Sequence, residues 1–265
     1  MQQLLCLFVL LPLATLALPF SVPDDFWSAR KIPTSQRAAR ETAQVAVQYL
    51  NYYYGSPNNL RMVHEVKRAS VKSFPDIGNK YYIEFSTRDI KTNEITGLCT
   101  AKVFFRTNKP RPAINVDCSN DKDLKKAQED DYDFYKNMKT QTTPITGKNI
   151  PDSFGFVEPK FEPLQDLAIM GSSYVMWEKT TENLHYNMAQ IKSLKQVLRQ
   201  DDLIGFDYDI LLHETPTQAV VICSVHVVWI PGKPPKVEYE CSGDSEENGS
   251  GSESEEGSTF MGNFK

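Results

Sequence analysis

Histidine is scarce in this 265-residue chain, with four copies, and His64, His185, His213 and His226 nowhere fall in the HExxH spacing of a zinc hydrolase. No serine sits in a Gly-x-Ser-x-Gly elbow, the turn that presents a nucleophile in hydrolases. Cysteine is almost as rare, five in all, and none is clustered at the short spacing a structural metal site needs. Long apolar runs are missing after residue 20. Only Leu4 to Phe20 qualifies, and its 17 residues are short for a bilayer-spanning helix. Charge of one sign is also lacking: 29 basic and 34 acidic residues leave −5, too mild for a nucleic-acid binder. These absences argue against an enzyme, a cofactor, a metal in the body, a nucleic-acid partner and a membrane span.

The run Leu4 to Phe20 carries the small-residue pattern Thr15-Leu16-Ala17 and reads as a secretory leader cut near Ala17. The expected product is a secreted, extracellular-matrix protein. Removing the leader removes Cys6 and leaves Cys99, Cys118, Cys223 and Cys241, an even set that in a secreted chain implies two disulfides. Three connectivities are possible, and the local sequence chooses among them. Residues 99–118 read CTAKVFFRTNKPRPAINVDC and residues 223–241 read CSVHVVWIPGKPPKVEYEC. Each is a cysteine, an alternating strand, a turn ending in Lys-Pro, a second alternating strand and a closing cysteine. Cys99 shares parity with Ala101, Val103 and Phe105, and Cys118 with Ile114 and Val116; Cys223 and Cys241 repeat this with Val225, Val227 and Trp229 and with Val237 and Tyr239. Period-two alternation places each set on a buried face, so Cys99 should meet Cys118 and Cys223 should meet Cys241 across the open end of their own hairpins.

The repeat extends upstream, which makes it a duplication. Tyr81–Ser86 and Phe206–Leu212 alternate as strands, and longer strand candidates run Leu60–Phe74 and Leu184–Leu198. Each copy opens with a helix. In the first, Ala39, Ala43, Ala46, Leu50 and Tyr53 recur at helical spacing, Thr34 or Ser35 can cap the start, and Gly55 ends it. The second starts at Pro163 and carries Leu164, Leu167, Gly171, Tyr174 and Val175 on one face. Between the copies, Leu124, Ala127, Tyr132, Tyr135 and Met138 form a stripe for a connecting helix, which breaks at Thr140 to Pro151. The fold class expected is α+β, two units of one helix wrapped by a four-stranded antiparallel sheet. The divisions are 1–17 leader, 18–33 N-terminal extension, 34–119 first unit, 120–162 connecting helix and linker, 163–241 second unit, and 242–265 acidic tail.

This organisation resembles the latexin family, tandem cystatin-like units joined by a helix. The likeness runs from about Ser35 to Cys241 and is most specific at IPDSFGFVEP (150–159), DLAIMGSSYVMWEKTT (166–181), FDYDILLHE (206–214) and WIPGKP (229–234). Leader and acidic tail together resemble the family's eggshell-matrix members. The resemblance implies a tight inhibitor of zinc metallocarboxypeptidases of the A type, acting as a monomer and docking over the mouth of the enzyme's funnel with both units. It further implies that the turn His213, Glu214, Thr215, Pro216, Thr217 and Gln218 lies near the enzyme's active-site entrance. The turn keeps His213 and Gln218 at a spacing of five, and the flanking Glu214 and Pro216 bear on the fit. Inhibition of papain-like cysteine proteases is disfavoured. The Gln-x-Val-x-Gly hairpin of true cystatins is absent from the corresponding turns, SVKSFPDIGN (70–79) and QVLRQDD (196–202).

The tail carries a separate chemistry. Asp244, Glu246, Glu247, Glu253, Glu255 and Glu256 leave the rest of the chain, Lys265 aside, with no net charge. The stretch SGDSEENGSGSESEEGS (242–258) has no apolar residue and cannot bury enough surface to fold. Ser245 and Ser254 each have glutamate two positions on, the pattern a secretory-pathway casein kinase takes, and a phosphate on Ser254 would bring in Ser252. Carboxylates and phosphates are hard oxygen donors suited to Ca²⁺, so calcium carbonate mineral or matrix is the expected partner, through diffuse contact along the six acidic residues. Asn248-Gly249-Ser250 is an N-glycosylation sequon in the same segment.

Overall fold

The computed structural model describes residues 29–119 and 124–242. The leader with Cys6, and every tail residue proposed for calcium contact, phosphorylation or glycosylation, lie outside the described residues.

The first sheet is antiparallel and runs in chain order: β1 (Arg30–Lys31), β2 (Arg61–Phe74), β3 (Gly78–Asp89), β4 (Ile95–Arg106) and β5 (Ala113–Cys118). Helix α1 (Arg37–Tyr54) lies on its inner face. After helix α2 (Lys125–Lys139) the second copy follows: β6 (Thr146–Ile150), helix α3 (Glu162–Lys179), β7 (His185–Val197), β8 (Ile204–Thr215), β9 (Val220–Trp229) and β10 (Lys236–Cys241), in the sheet order β10-β9-β8-β7-β6. The protein is thus α+β with two antiparallel sheets.

Each sheet has five strands where the sequence pattern predicts four. The additions are β1, within the expected extension, and β6, within the expected break. RK and TGKNI are short and polar, and they hold their places by pairing with β2 and β7; with no alternating apolar face they leave no strand signal. The helix cap is also corrected. Gln36, rather than Thr34 or Ser35, precedes α1, with no side-chain cap bond, while Gly55 ends the helix as expected. The stripe of α2 is out of phase as well. Ala127 and Met138 are buried, but Tyr132 is exposed and the remaining buried positions are Asp131 and Phe134.

The duplication reappears in backbone detail. β2 shifts register at Val63/Glu65 and Val66/Arg68, and β7 at Met188/Gln190 and Ile191/Ser193, the same places in the repeat. Such bulges bend a long strand, which lets each sheet curl around its helix. Cys99 stands opposite Cys118 and Cys223 opposite Cys241, each pair 4.0 Å apart at Cα and disulfide-bonded.

α1 and α3 pack against one another between the sheets, so α3 is buried nearly all round. Its Gly171 allows the closest approach: a Cβ there would stand 2.6 Å from Val227 Cγ2 on β9. The two cores also exchange residues. Trp177 of α3 belongs to the first unit's core, and Leu60, just before β2, belongs to the second unit's. The Trp177 indole donates to Pro112 O at 3.0 Å, lies under the Arg111 guanidinium at 4.7 Å, and meets the Tyr49 ring edge-on at 5.2 Å. α2 bridges from outside. Its Phe134 packs on Trp229, while its Asp131 accepts hydrogen bonds from Asn58 N and Nδ2 of the first unit. Nearby, Lys91 of the β3–β4 turn reaches Asp166 of α3 at 2.8 Å. The units therefore form one body.

Candidate functional site

The segment singled out by sequence is the tip of the β8–β9 hairpin. The ladder ends at His213 opposite Val220, and Glu214 N donates to Ala219 O at 2.9 Å while Gln218 N donates to Glu214 O at 3.0 Å. The turn contains a cis Thr215-Pro216 bond, and Gln218 adopts a left-handed φ of 66°. Pro216, Thr217 and Gln218 are exposed. His213 and Gln218 meet across the turn, Nε2 to Oε1, at 3.2 Å; with the proton on Nε2 the imidazole donates.

Glu214 holds the turn to its neighbours. One carboxylate oxygen accepts from the Thr217 hydroxyl at 2.5 Å and the other from the Tyr186 hydroxyl of β7 at 2.9 Å. The Tyr186 carbonyl in turn accepts from Gln48 Nε2 of α1 at 2.8 Å. Glu214 is thus built into the turn as its brace. Tyr186 and Gln48 leave no signal in the sequence because their roles depend on contacts 28 and 138 residues away along the chain.

Beneath the hairpin lies a polar junction between the units. His185, opposite Thr215, is buried with its Nε2 3.2 Å from Glu182 O and 3.4 Å from Glu41 of α1, and its ring meets Phe105 edge-on. Glu182 accepts from Asn79 Nδ2 at 2.8 Å and from the Tyr81 hydroxyl at 2.7 Å, both in the first unit. Burial, then the bond to Glu182, pushes the Tyr81 phenol well up, so it remains a donor. Burial holds the His185 imidazole below its ordinary pKa of 6.5 and outweighs the Glu41 carboxylate, which acts the other way. A lowered folded-state value means that the unfolded chain binds the proton first. Stability is therefore full above pH 6.5 and falls as pH drops towards the folded value, by up to about 1.4 kcal/mol per pH unit. Urea melts of the wild type and His185→Gln between pH 7.5 and 5 should diverge, the variant showing the flatter profile. Parallel profiles would remove His185 from the junction's pH response.

The remaining histidines stand apart from this site. His226 is on the outer face of its sheet, with Nδ1 2.6 Å from Asp207 Oδ1. His64 is on β2 in the other unit, far along the chain from the hairpin. Among the described residues no group of three or more His, Cys, Asp or Glu is placed to hold a metal ion, and no helix is long and apolar enough to cross a membrane.

Comparison with known proteins agrees with this architecture. The family model described as Latexin matches residues 32–247. The chain is 42% identical to human retinoic acid receptor responder protein 1 over 213 residues, covering 78% of this chain and 72% of that one. It is 37% identical to chicken ovocalyxin-32, with 85% and 82% covered, and 36% identical to mouse latexin, with 79% and 95% covered. Among solved structures, mouse fetuin-B matches at 12% identity with a TM-score of 0.27, covering 80% of this chain and 69% of that one, a likeness too low for a shared fold to follow. Matched over most of its length by the family model and by these relatives, the chain belongs to the latexin family.

Proposed function

We propose that the folded body is a non-catalytic inhibitor of zinc metallocarboxypeptidases of the A type, built from two cystatin-like units and probing the enzyme's entrance with the turn His213–Gln218. The observation that carries this reading is the brace around that turn: His213 against Gln218, and Glu214 against Thr217 and Tyr186. A turn fixed before docking loses little side-chain and loop entropy on binding, a saving of about 0.5–1.5 kcal/mol for each long side chain already held. The clamp between units supports the reading too, because an inhibitor that docks with both must keep them in one orientation. The test is titration of an A-type carboxypeptidase with the full chain, repeated with His213→Ala plus Gln218→Ala. Inhibition should weaken by roughly tenfold or more, the equivalent of about 1.4 kcal/mol. Equal inhibition by the double variant would exclude this turn, and no inhibition by the wild type would exclude the reading.

A second reading rests on the tail. Its six carboxylates, with phosphates on Ser245, Ser252 and Ser254, supply oxygen donors of the kind calcium takes, and we assign to it contact with calcium mineral in a secreted, eggshell-type matrix. A chain ending at Cys241 should then adsorb to calcite far less than the phosphorylated full chain; equal adsorption would refute the assignment. A tail that adsorbs on a body that inhibits nothing would mark a purely structural matrix protein.

A further inference from the structure

One end of the first sheet's outer face carries a block of positive charge, beyond which the next row holds Glu84 and Asp117. On the second sheet the outward rows mix signs: Lys195, Asp207, His226 and Glu238 share one, and Lys148, Asp209 and Glu240 another. On the first, Lys72, Lys80 and Phe104 share one row and Tyr82 and Lys102 the next, and neither row holds a carboxylate. Lys80 lies over the Tyr82 ring at 5.4 Å, and Phe74 meets Phe104 edge-on at 6.0 Å. Phe74, Ile77 and Phe104 line a shallow hollow beside the lysines, and Ile77 is 59% exposed. A basic face with an apolar hollow calls for an anionic partner that also carries apolar side chains.

The chain itself contains one. The acidic run Asp244–Glu256 is followed by Phe260, Met261 and Phe264. Its point of departure is favourable. Ser242 N donates to Ile222 O at 2.8 Å, close to the β8–β9 turn, whose Thr215 pairs with His185. The adjacent Glu182 is bonded by Asn79 and Tyr81, which flank Lys80. The tail thus leaves the body at the end where the basic face begins. The eighteen residues from Gly243 to Phe260 can span up to roughly 60 Å when extended.

We propose that the tail docks on the outer face of the first sheet, its carboxylates over Lys72, Lys80 and Lys102 and its Phe260–Phe264 segment in the hollow between Phe74, Ile77 and Phe104. Being on the same chain, it binds at a high effective concentration. Docking withholds the acidic run from other partners, and added phosphates tighten it. Neither functional reading above is required.

The test is paramagnetic relaxation in the full chain carrying Cys6→Ser and a spin label on Ser258→Cys. Amide signals of residues 72–82 and 102–104 should broaden selectively. The effect should vanish in about 1 M NaCl, where screening acts within roughly 3 Å, and in Lys80→Glu plus Lys102→Glu, two outward positions that leave the core intact. Broadening that persists in that variant, or none at the face, would overturn the proposal. So would broadening that appears only when labelled and isotope-enriched molecules are mixed, which would make the occupant a second copy. Broadening confined to another surface would overturn it equally and leave the face to an external polyanion.

Discussion

Replacing the four disulfide cysteines with alanine is expected to cost roughly 6 kcal/mol, about 3 for each disulfide by the loop-closure relation. The loops span 19 and 18 residues, nearly the same length, so the two contributions should be nearly equal. They sit in different sheets and should add to within about 0.5 kcal/mol. The strands they fasten show why the effect is large. β5 and β10 are edges whose inward residues Ile114, Val116, Val237 and Tyr239 are only half-buried, giving them less apolar burial than the central strands. A domain of ordinary stability has about 5–15 kcal/mol in total, so the fourfold variant stands near the limit of folding. Denaturant melts of each paired variant and of the fourfold variant read this directly. Losses below about 1 kcal/mol per pair would mean that strand pairing alone holds the edges.

Trp177→Ala is the second large effect, expected at about 3–5 kcal/mol from lost burial and the cavity left behind. The side chain is 4% exposed and belongs to a different unit from the core it fills. Its removal takes a ring contact from the Arg111 guanidinium and from four tyrosines, Tyr49, Tyr52, Tyr53 and Tyr174, and leaves Pro112 O without its indole donor. At roughly 2–4 °C per kcal/mol for a chain of this size, Tm should fall by about 10 °C. The variant should also unfold in two resolved steps, as separate units would, where the wild type shows one. A single transition with a loss under about 1 kcal/mol would place the coupling elsewhere, with Lys91 and Asp166 as the next candidates.

The duplicated hairpins were legible because cysteine and apolar residues share parity in strands of period two, and a one-residue slip would have turned each cysteine outward. The helices were legible in part. α1 shows its alanine stripe, but α3 is covered on both sides, so Met170, Met176 and Trp177 are buried off the single face that the spacing picks out. α2 was misphased for a chemical reason. Tyr132 and Tyr135 count as apolar yet keep polar tips, and the Tyr135 hydroxyl donates to Asp202 O at 2.7 Å. Asp131 counts as polar yet is buried against the amide donors of Asn58, with burial raising its pKa. In the candidate site, His213 and Gln218 were singled out by the resemblance to the latexin family, not by any pattern of their own. Their brace was not, because Tyr186 and Gln48 enter only through the packing of one unit on the other.

Hydrogen exchange of the full chain, free and with one equivalent of an A-type carboxypeptidase, measures whether the braced turn is the docking surface. The account predicts that the exposed residues Thr217, Gln218 and Ala219, two of whose amides are held only by bonds within the turn, exchange more slowly with the enzyme while the outer faces of both sheets exchange as before. Unchanged exchange at the turn, with protection confined to another surface, would contradict it.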